Sequence, residues 1–216
     1  MMRNRISGLY GITPATADDA WLCERVEQAL RGRMTMLQYR AKDAAAGLKR
    51  RQAERLLALC RRYRVPMLIN DDIELARAIG ADGVHVGRDD VAPERAREVL
   101  GDRAIVGVSC YADLDRLDHA QAIGADYAAF GSFHPSTVKP GAARAPLDLL
   151  RQARERSALP LVAIGGITPA NAPALIARGA DALAVITALF HVPDTFAAAC
   201  AFASCFEPCT SDHPSS

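Results

Sequence analysis

The chain lacks the features that would tie it to nucleic acid, a bilayer or an oxidising compartment. Lysine and arginine number 26 against 25 aspartates and glutamates, a net charge of +1. A nucleic-acid binder is expected to carry a basic excess. The longest apolar runs, such as Ala182 to Phe190, fall well short of the ~20 residues that span a bilayer. The basic start Met1-Met2-Arg3-Asn4-Arg5 is followed by no apolar stretch of signal-peptide length. The six cysteines (Cys23, Cys60, Cys110, Cys200, Cys205 and Cys209) form no CxxC pair and are irregularly spaced. Reduced thiols in a cytoplasmic protein are the expectation. P-loop and GxGxxG fingerprints, a His/Cys zinc pattern and a Ser-His-Asp arrangement are all missing. No covalent nucleophile stands out, so catalysis is expected from positioning and charge stabilisation.

What is present is a core-forming α/β pattern. Half of the 216 residues are hydrophobic, enough for one folded domain. Short apolar runs at Gly8–Thr13, Thr35–Arg40, Pro66–Asp71, Gly83–Gly87, Ala104–Ser109, Tyr127–Gly131, Leu161–Gly165 and Ala182–Thr187 read as strands. Segments with helical apolar spacing separate them, as in Arg50 to Tyr63 with Leu56, Leu57, Leu59 and Cys60. The alternation implies βαβ units with a parallel sheet covered by helices. Eight such strands predict a single-domain (β/α)8 TIM barrel over residues 1–203. An open doubly wound sheet remains the alternative. Residues 204–216 are turn-rich and aperiodic, and a disordered tail is expected there. Gly80-Ala81-Asp82, Gly124-Ala125-Asp126 and Gly179-Ala180-Asp181 repeat before three strands and read as loop punctuation, each glycine closing a helix in the left-handed conformation.

Barrels of this kind carry their sites at the C-terminal strand ends. Gln38, Arg40 and Lys42 alternate there with period two, so an extended segment turns all three one way. Arg40 and Lys42 suit a di-anion or pyrophosphate; a solvated strand end is the bland alternative. Asp71 and Asp90 end adjacent strands, and two neighbouring carboxylates invite Mg2+ bridging to a substrate phosphate. Helix capping is the alternative for this acidic group, and it is the expected role of Asp72 and Asp89. Gly165-Gly166-Ile167 reads as a strand–glycine–helix junction for a phosphate, with Thr187 as a further donor. The loop from Ser132 to Pro146 reads as a lid bringing Lys139 to an anion, or as a plain surface loop. His85, inside a strand, is expected to be a satisfied core histidine. His134, in the lid, lies within reach of a substrate.

Taken together, Gln38-x-Arg40-x-Lys42, Asn70-Asp71, the stretch from Asp82 to Asp90, Gly107-Val108-Ser109, Pro135-Ser136 with Lys139, and Ala163-Ile164-Gly165-Gly166-Ile167 resemble the thiamine-phosphate synthase family. The resemblance implies condensation of 4-amino-5-hydroxymethyl-2-methylpyrimidine diphosphate with 4-methyl-5-(2-phosphooxyethyl)thiazole, releasing pyrophosphate. It implies that Arg40, Lys42, Asn70 and Lys139 bind the leaving pyrophosphate and that Asp71 and Asp90 hold Mg2+. It places Gln38 and Ser109 on the pyrimidine, and Ser136, Gly165, Gly166, Ile186 and Thr187 on the thiazole phosphate. Arg40, Lys42, Ser109 and Lys139 are thereby the catalytic candidates, in a dissociative substitution. Val138 stands where the family's lid carries a hydroxyl. Partners are then small-molecule substrates, without nucleic acid or membrane, and a homo-oligomer is compatible. Rival readings are a thiazole tautomerase of the same barrel family and a non-catalytic phosphate-ligand-binding barrel.

Overall fold

In the computed structural model, residues 6–87, 93–135 and 144–207 are described. Eight parallel strands close into a barrel in sequential order. They are β1 (Gly8–Ile12), β2 (Met36–Tyr39), β3 (Met67–Asn70), β4 (Gly83–Val86), β5 (Ile105–Tyr111), β6 (Tyr127–Phe130), β7 (Leu161–Ile164) and β8 (Ala182–Val185). Helices α1 (Asp19–Arg31), α2 (Ala46–Tyr63), α3 (Ile73–Ile79), α4 (Pro93–Leu100), α5 (Leu114–Ala122), α6 (Asp148–Arg156) and α7 (Ala172–Ile176) separate successive strands. Two more, α8 (Thr187–Phe190) and α9 (Thr195–Ser204), follow β8. This is the expected (β/α)8 barrel, and closure of β8 onto β1 rules out the open sheet.

Strand periodicity divides the core in two. Tyr10, Ile12, Met36, Leu68, Tyr127, Ala129, Val162 and Ala184 fill the barrel interior. Leu9, Leu37, Met67, Ile69, Val84, Val106, Ala128, Leu161 and Leu183, one position away, join the layer beneath the helices. Both faces of most strands are therefore largely apolar, which explains runs without polar alternation. Each large side chain buried this way stabilises by about 1.5–3 kcal/mol.

Helix α1 presents Leu22, Val26, Ala29 and Leu30 inward, at the spacing of one helical face, and Asp18 caps it by accepting the Trp21 N–H. Strand bounds fall within two residues of the sequence expectation. Strand β5 is the one that runs longer than expected. It continues through Tyr111 with a register shift between Ser109 and Tyr111, and Tyr111 has φ 57°. Such bulges occur at barrel rims, where they re-aim side chains.

Candidate active site

At the C-terminal rim, β2 stops at Tyr39 because the chain turns. The Ala44 N–H donates to the Ala41 carbonyl at 3.2 Å, closing a turn over Lys42. The period-two expectation for Gln38, Arg40 and Lys42 therefore needs correction. Gln38 points into the barrel and is 2 % exposed, Arg40 is half-buried, and Lys42 is swung outward by the turn. The Arg40 N–H is fixed by Thr13 Oγ1 at 2.8 Å, which ties the ends of β1 and β2 together.

The turn delivers Lys42 to the neighbouring strand end, where its Nζ lies 2.7 Å from Asp71 Oδ2. Asp71 follows β3 with φ 62°, a left-handed conformation that aspartate and asparagine adopt more readily than other non-glycine residues. Its N–H donates to the His85 carbonyl at 2.9 Å, extending the β3–β4 ladder by one step while the side chain turns to the rim. Asp72 takes the other expected role: its Oδ1 accepts the Leu75 N–H at 2.9 Å and caps α3. Asn70, half-buried, is paired in register with His85. A cavity of about 520 Å3 flanks this corner, lined in part by Tyr39, Lys42, Asn70, Asp71 and Arg95. Gln38 and Ser109 do not line it, so it borders the barrel mouth rather than filling it.

Below the mouth lies a chain of polar contacts that the sequence pattern did not reveal. Gln38 Nε2 donates to the Tyr10 hydroxyl at 2.6 Å. The Tyr10 and Tyr127 hydroxyls lie 2.8 Å apart. The Tyr127 hydroxyl is 2.9 Å from His85 Nδ1, and His85 Nε2 is 2.8 Å from Ser109 Oγ. His85 also stacks on Tyr127, with centroids 5.5 Å apart and planes at 15°. As expected, His85 is a satisfied histidine, but one of its partners is a site residue. Burial pushes both phenols up from their ordinary values, so they stay neutral at physiological pH. Tyr10 and Tyr127 were missed because, as aromatic residues in apolar runs, they read as core. The only signal was Gly107 on the adjacent strand. A Cβ there would stand 2.0 Å from Tyr127 Cζ, so the glycine makes room for the ring.

The serine and histidine do not amount to a hydrolase triad. The group at Nδ1 is a phenol rather than the carboxylate that such a triad uses.

On the far side of the mouth, Gly165 and Gly166 follow β7 with φ 104° and 60°. They admit a close approach: a Cβ on Gly165 would meet Ser132 Oγ at 2.0 Å, and one on Gly166 the Pro135 carbonyl at 2.3 Å. The root of the long loop is pinned there, with the Phe133 and His134 N–H groups donating to the Ile164 and Gly165 carbonyls at 3.2 and 3.0 Å. The expected strand–glycine–helix junction also needs correction. Helix α7 begins only at Ala172, because Thr168 to Asn171 form a turn that Asn171 closes onto Thr168 and Gly166. It is α8 that starts directly after its strand, with Ile186 as its cap residue and Thr187 as its first residue. Loops after strands seven and eight, with a short extra helix, are where barrels of this type commonly bind phosphate.

Asp90, Ser136 and Lys139 lie outside the described residues, as do Asp89 and Val138. Among the described residues, no cluster of three or more His, Cys, Asp or Glu forms a metal cage. All five described cysteines are free, and no described helix is long and apolar enough to cross a membrane.

A closed parallel barrel with polar residues at the C-terminal ends of its strands belongs to the (β/α)8 class, whose enzymes carry their sites at that rim. Comparison with known proteins narrows the class. Residues 9–189 match the family described as thiamine monophosphate synthase. The chain is 52% identical over 198 residues to a thiamine-phosphate synthase of Thiobacillus denitrificans, covering 92% of this chain and 94% of that one. It is also 52% identical over 205 residues to one of an Azoarcus species, covering 95% and 100%. Among solved structures, a thiamine phosphate pyrophosphorylase from Pyrococcus furiosus superimposes with a TM-score of 0.83 at 33% identity, over 94% of this chain and 96% of that chain. The chain belongs to the thiamine monophosphate synthase family and is a transferase.

Proposed function

We propose that the protein is a thiamine-phosphate synthase that joins the pyrimidine diphosphate to the thiazole phosphate and releases pyrophosphate. The observation that carries the reading is the Lys42–Asp71 pair at the β2–β3 rim, beside inward-facing Gln38 and Asn70. A leaving pyrophosphate needs cations at its oxygens, and Arg40 at the end of β2 and Lys42 in the turn that follows supply them. Gln38 and Ser109 hold the pyrimidine ring from the interior. Gly165, Gly166, Ile186 and Thr187 receive the thiazole phosphate across the mouth. Ser136 and Lys139 complete the two phosphate sites from the loop.

The donor chemistry suits a hard divalent cation. Asp71 offers a carboxylate with 18% side-chain exposure at the rim. Magnesium asks for only one or two carboxylates and takes its remaining ligands from water and phosphate. Asp71 with Asp90 would hold it. Once bound, it would neutralise charge on the departing diphosphate.

Substitution then proceeds dissociatively. The carbon–oxygen bond to pyrophosphate breaks with its electron pair on the leaving oxygen, and the thiazole nitrogen adds to the cationic methylene. The protein's part is to hold both rings in line and to stabilise the anion. Cys110 is fully buried in the layer beneath the helices, and Ser109 is engaged by His85, so neither is offered as a nucleophile. A tautomerase would not need the rim carboxylate, and Asp71 is in place. The free thiols among the described residues support a cytoplasmic setting.

The test is pyrophosphate release on mixing the protein with both substrates, with and without Mg2+. Release that needs both substrates and the metal is expected. A folded protein that releases none overturns the reading.

A further inference from the structure

The four hydrogen bonds from Gln38 to Ser109 cross the barrel through five different strands, β2, β1, β6, β4 and β5. Gln38, Tyr10 and Tyr127 are 2 %, 1 % and 0 % exposed, so water does not compete for these bonds. Each hydroxyl has one proton, and that makes the chain directional. An amide nitrogen only donates, so Tyr10 oxygen accepts from Gln38 Nε2 and spends its proton on Tyr127. Tyr127 accepts and spends its own proton on His85 Nδ1. A neutral imidazole that accepts at Nδ1 carries its proton on Nε2, and this proton goes to Ser109 Oγ. Ser109 then has its own hydroxyl proton to offer toward the mouth, and Gln38 has Oε1 to offer as an acceptor. With the Gln38 amide turned over, every bond would reverse and Ser109 would become an acceptor.

We propose that Tyr10, Tyr127 and His85 are positioning residues, forming a directional relay that fixes Ser109 as a donor and Gln38 Oε1 as an acceptor for a planar amino-substituted nitrogen heterocycle. The relay suits a ligand that offers a ring nitrogen to the serine and an amino N–H to the amide. This rests on the reading of Gln38 and Ser109 as contacts to the pyrimidine. Buried and neutral at both tyrosines, the relay moves no net charge. It holds polarity in place before substrate arrives, so binding spends nothing on reorienting the two contact groups. Gly107 is part of the device, since any side chain there would displace the Tyr127 ring.

The direct test reads the imidazole of His85 by 15N NMR on the full chain, without substrate. His85→Gln assigns the signal among the five histidines. The expected result is protonated Nε2 and bare Nδ1. The opposite tautomer overturns the relay whether or not the protein proves to be a synthase. In Tyr127→Phe, His85 loses its Nδ1 donor. The same variant should raise KM for the pyrimidine diphosphate by about tenfold or more, with KM for the thiazole phosphate within about twofold. Equal changes in both constants, or none, would count against the positioning role. Should Tyr127→Phe fail to fold, Tyr10→Phe cuts the same relay one bond earlier, and the wild-type tautomer still decides.

Discussion

The carboxylate of Asp126 accepts the backbone N–H of Val106 at 2.9 Å, one strand back in the sheet. The same bond joins Asp82 to Met67 and Asp181 to Leu161, both at 2.8 Å. In each case an arginine from the preceding even-numbered helix donates to the glycine two residues before the aspartate: Arg61 to Gly80, Arg97 to Gly124 and Arg154 to Gly179, at 2.9, 3.0 and 3.1 Å. At the corresponding place before β2, Thr35 Oγ1 donates to the Leu9 carbonyl at 3.0 Å. A strand's first N–H has few partners at the bottom of a barrel, and the carboxylate that precedes the next strand satisfies it. The Gly-Ala-Asp echo is thus a structural stitch as well as punctuation.

This stitch sets a stability expectation. Asp126→Ala leaves the Val106 N–H without its acceptor and Arg97 without the carboxylate 2.7 Å away. The expected cost is about 1–3 kcal/mol. Asp126→Asn keeps an acceptor oxygen and should lose less. Denaturant unfolding of the three proteins checks the order, and equal stability of Asp126→Ala and wild type would show that the bond contributes nothing.

Removing the rim carboxylate should separate chemistry from folding. Asp71→Asn is nearly isosteric, so the thermal midpoint should stay within a few degrees of wild type while turnover falls about a hundredfold or more. Lys139→Ala should lose turnover comparably, since the resemblance places it on the leaving group. Pyrophosphate release with both substrates measures the effect. Activity close to wild type in either variant would remove that residue from the site.

The glycine pair makes a separable claim on the thiazole phosphate. Gly166→Ala forces φ 60° on a residue with a side chain and drives its Cβ to 2.3 Å from the Pro135 carbonyl. The loop root must move, and KM for the thiazole phosphate should rise about tenfold or more with KM for the pyrimidine diphosphate little changed. A rise confined to the pyrimidine constant would place the glycines on the wrong substrate.

Thiol chemistry follows from burial. The Cys60 and Cys110 thiols are pushed up to about 12 by loss of solvent, and the thiolate is the reactive form. Because the folded values lie so high, raising the pH from about 7 to about 9 creates almost no thiolate at either site. Both should resist iodoacetamide in the native state and react once the chain is unfolded. Mass spectrometry of labelled peptides checks this, and fast native labelling of either would contradict the packing around it.

What the sequence determined by itself was everything that rests on local pattern. Continuous apolar runs separated by amphipathic helices, too short for any other arrangement, dictated a covered parallel sheet. Asp72 as a cap and glycine at 80, 124 and 179 in the left-handed region follow from chemistry within a few residues. The rim residues were also legible, because polar side chains stand out at the ends of apolar strands. The tertiary structure alone decided how those ends meet. The turn after Tyr39 sends Lys42 to Asp71 rather than alongside Gln38, and the α7 start is delayed by Asn171. Closure of the barrel brings Tyr10, Tyr127, His85 and Ser109 into one line, although Tyr10 and Tyr127 are 117 positions apart. A buried tyrosine in an apolar run looks like core in any sequence. Only the curvature of a closed sheet, which points every second residue of all eight strands at one axis, turns four such positions into a connected polar path.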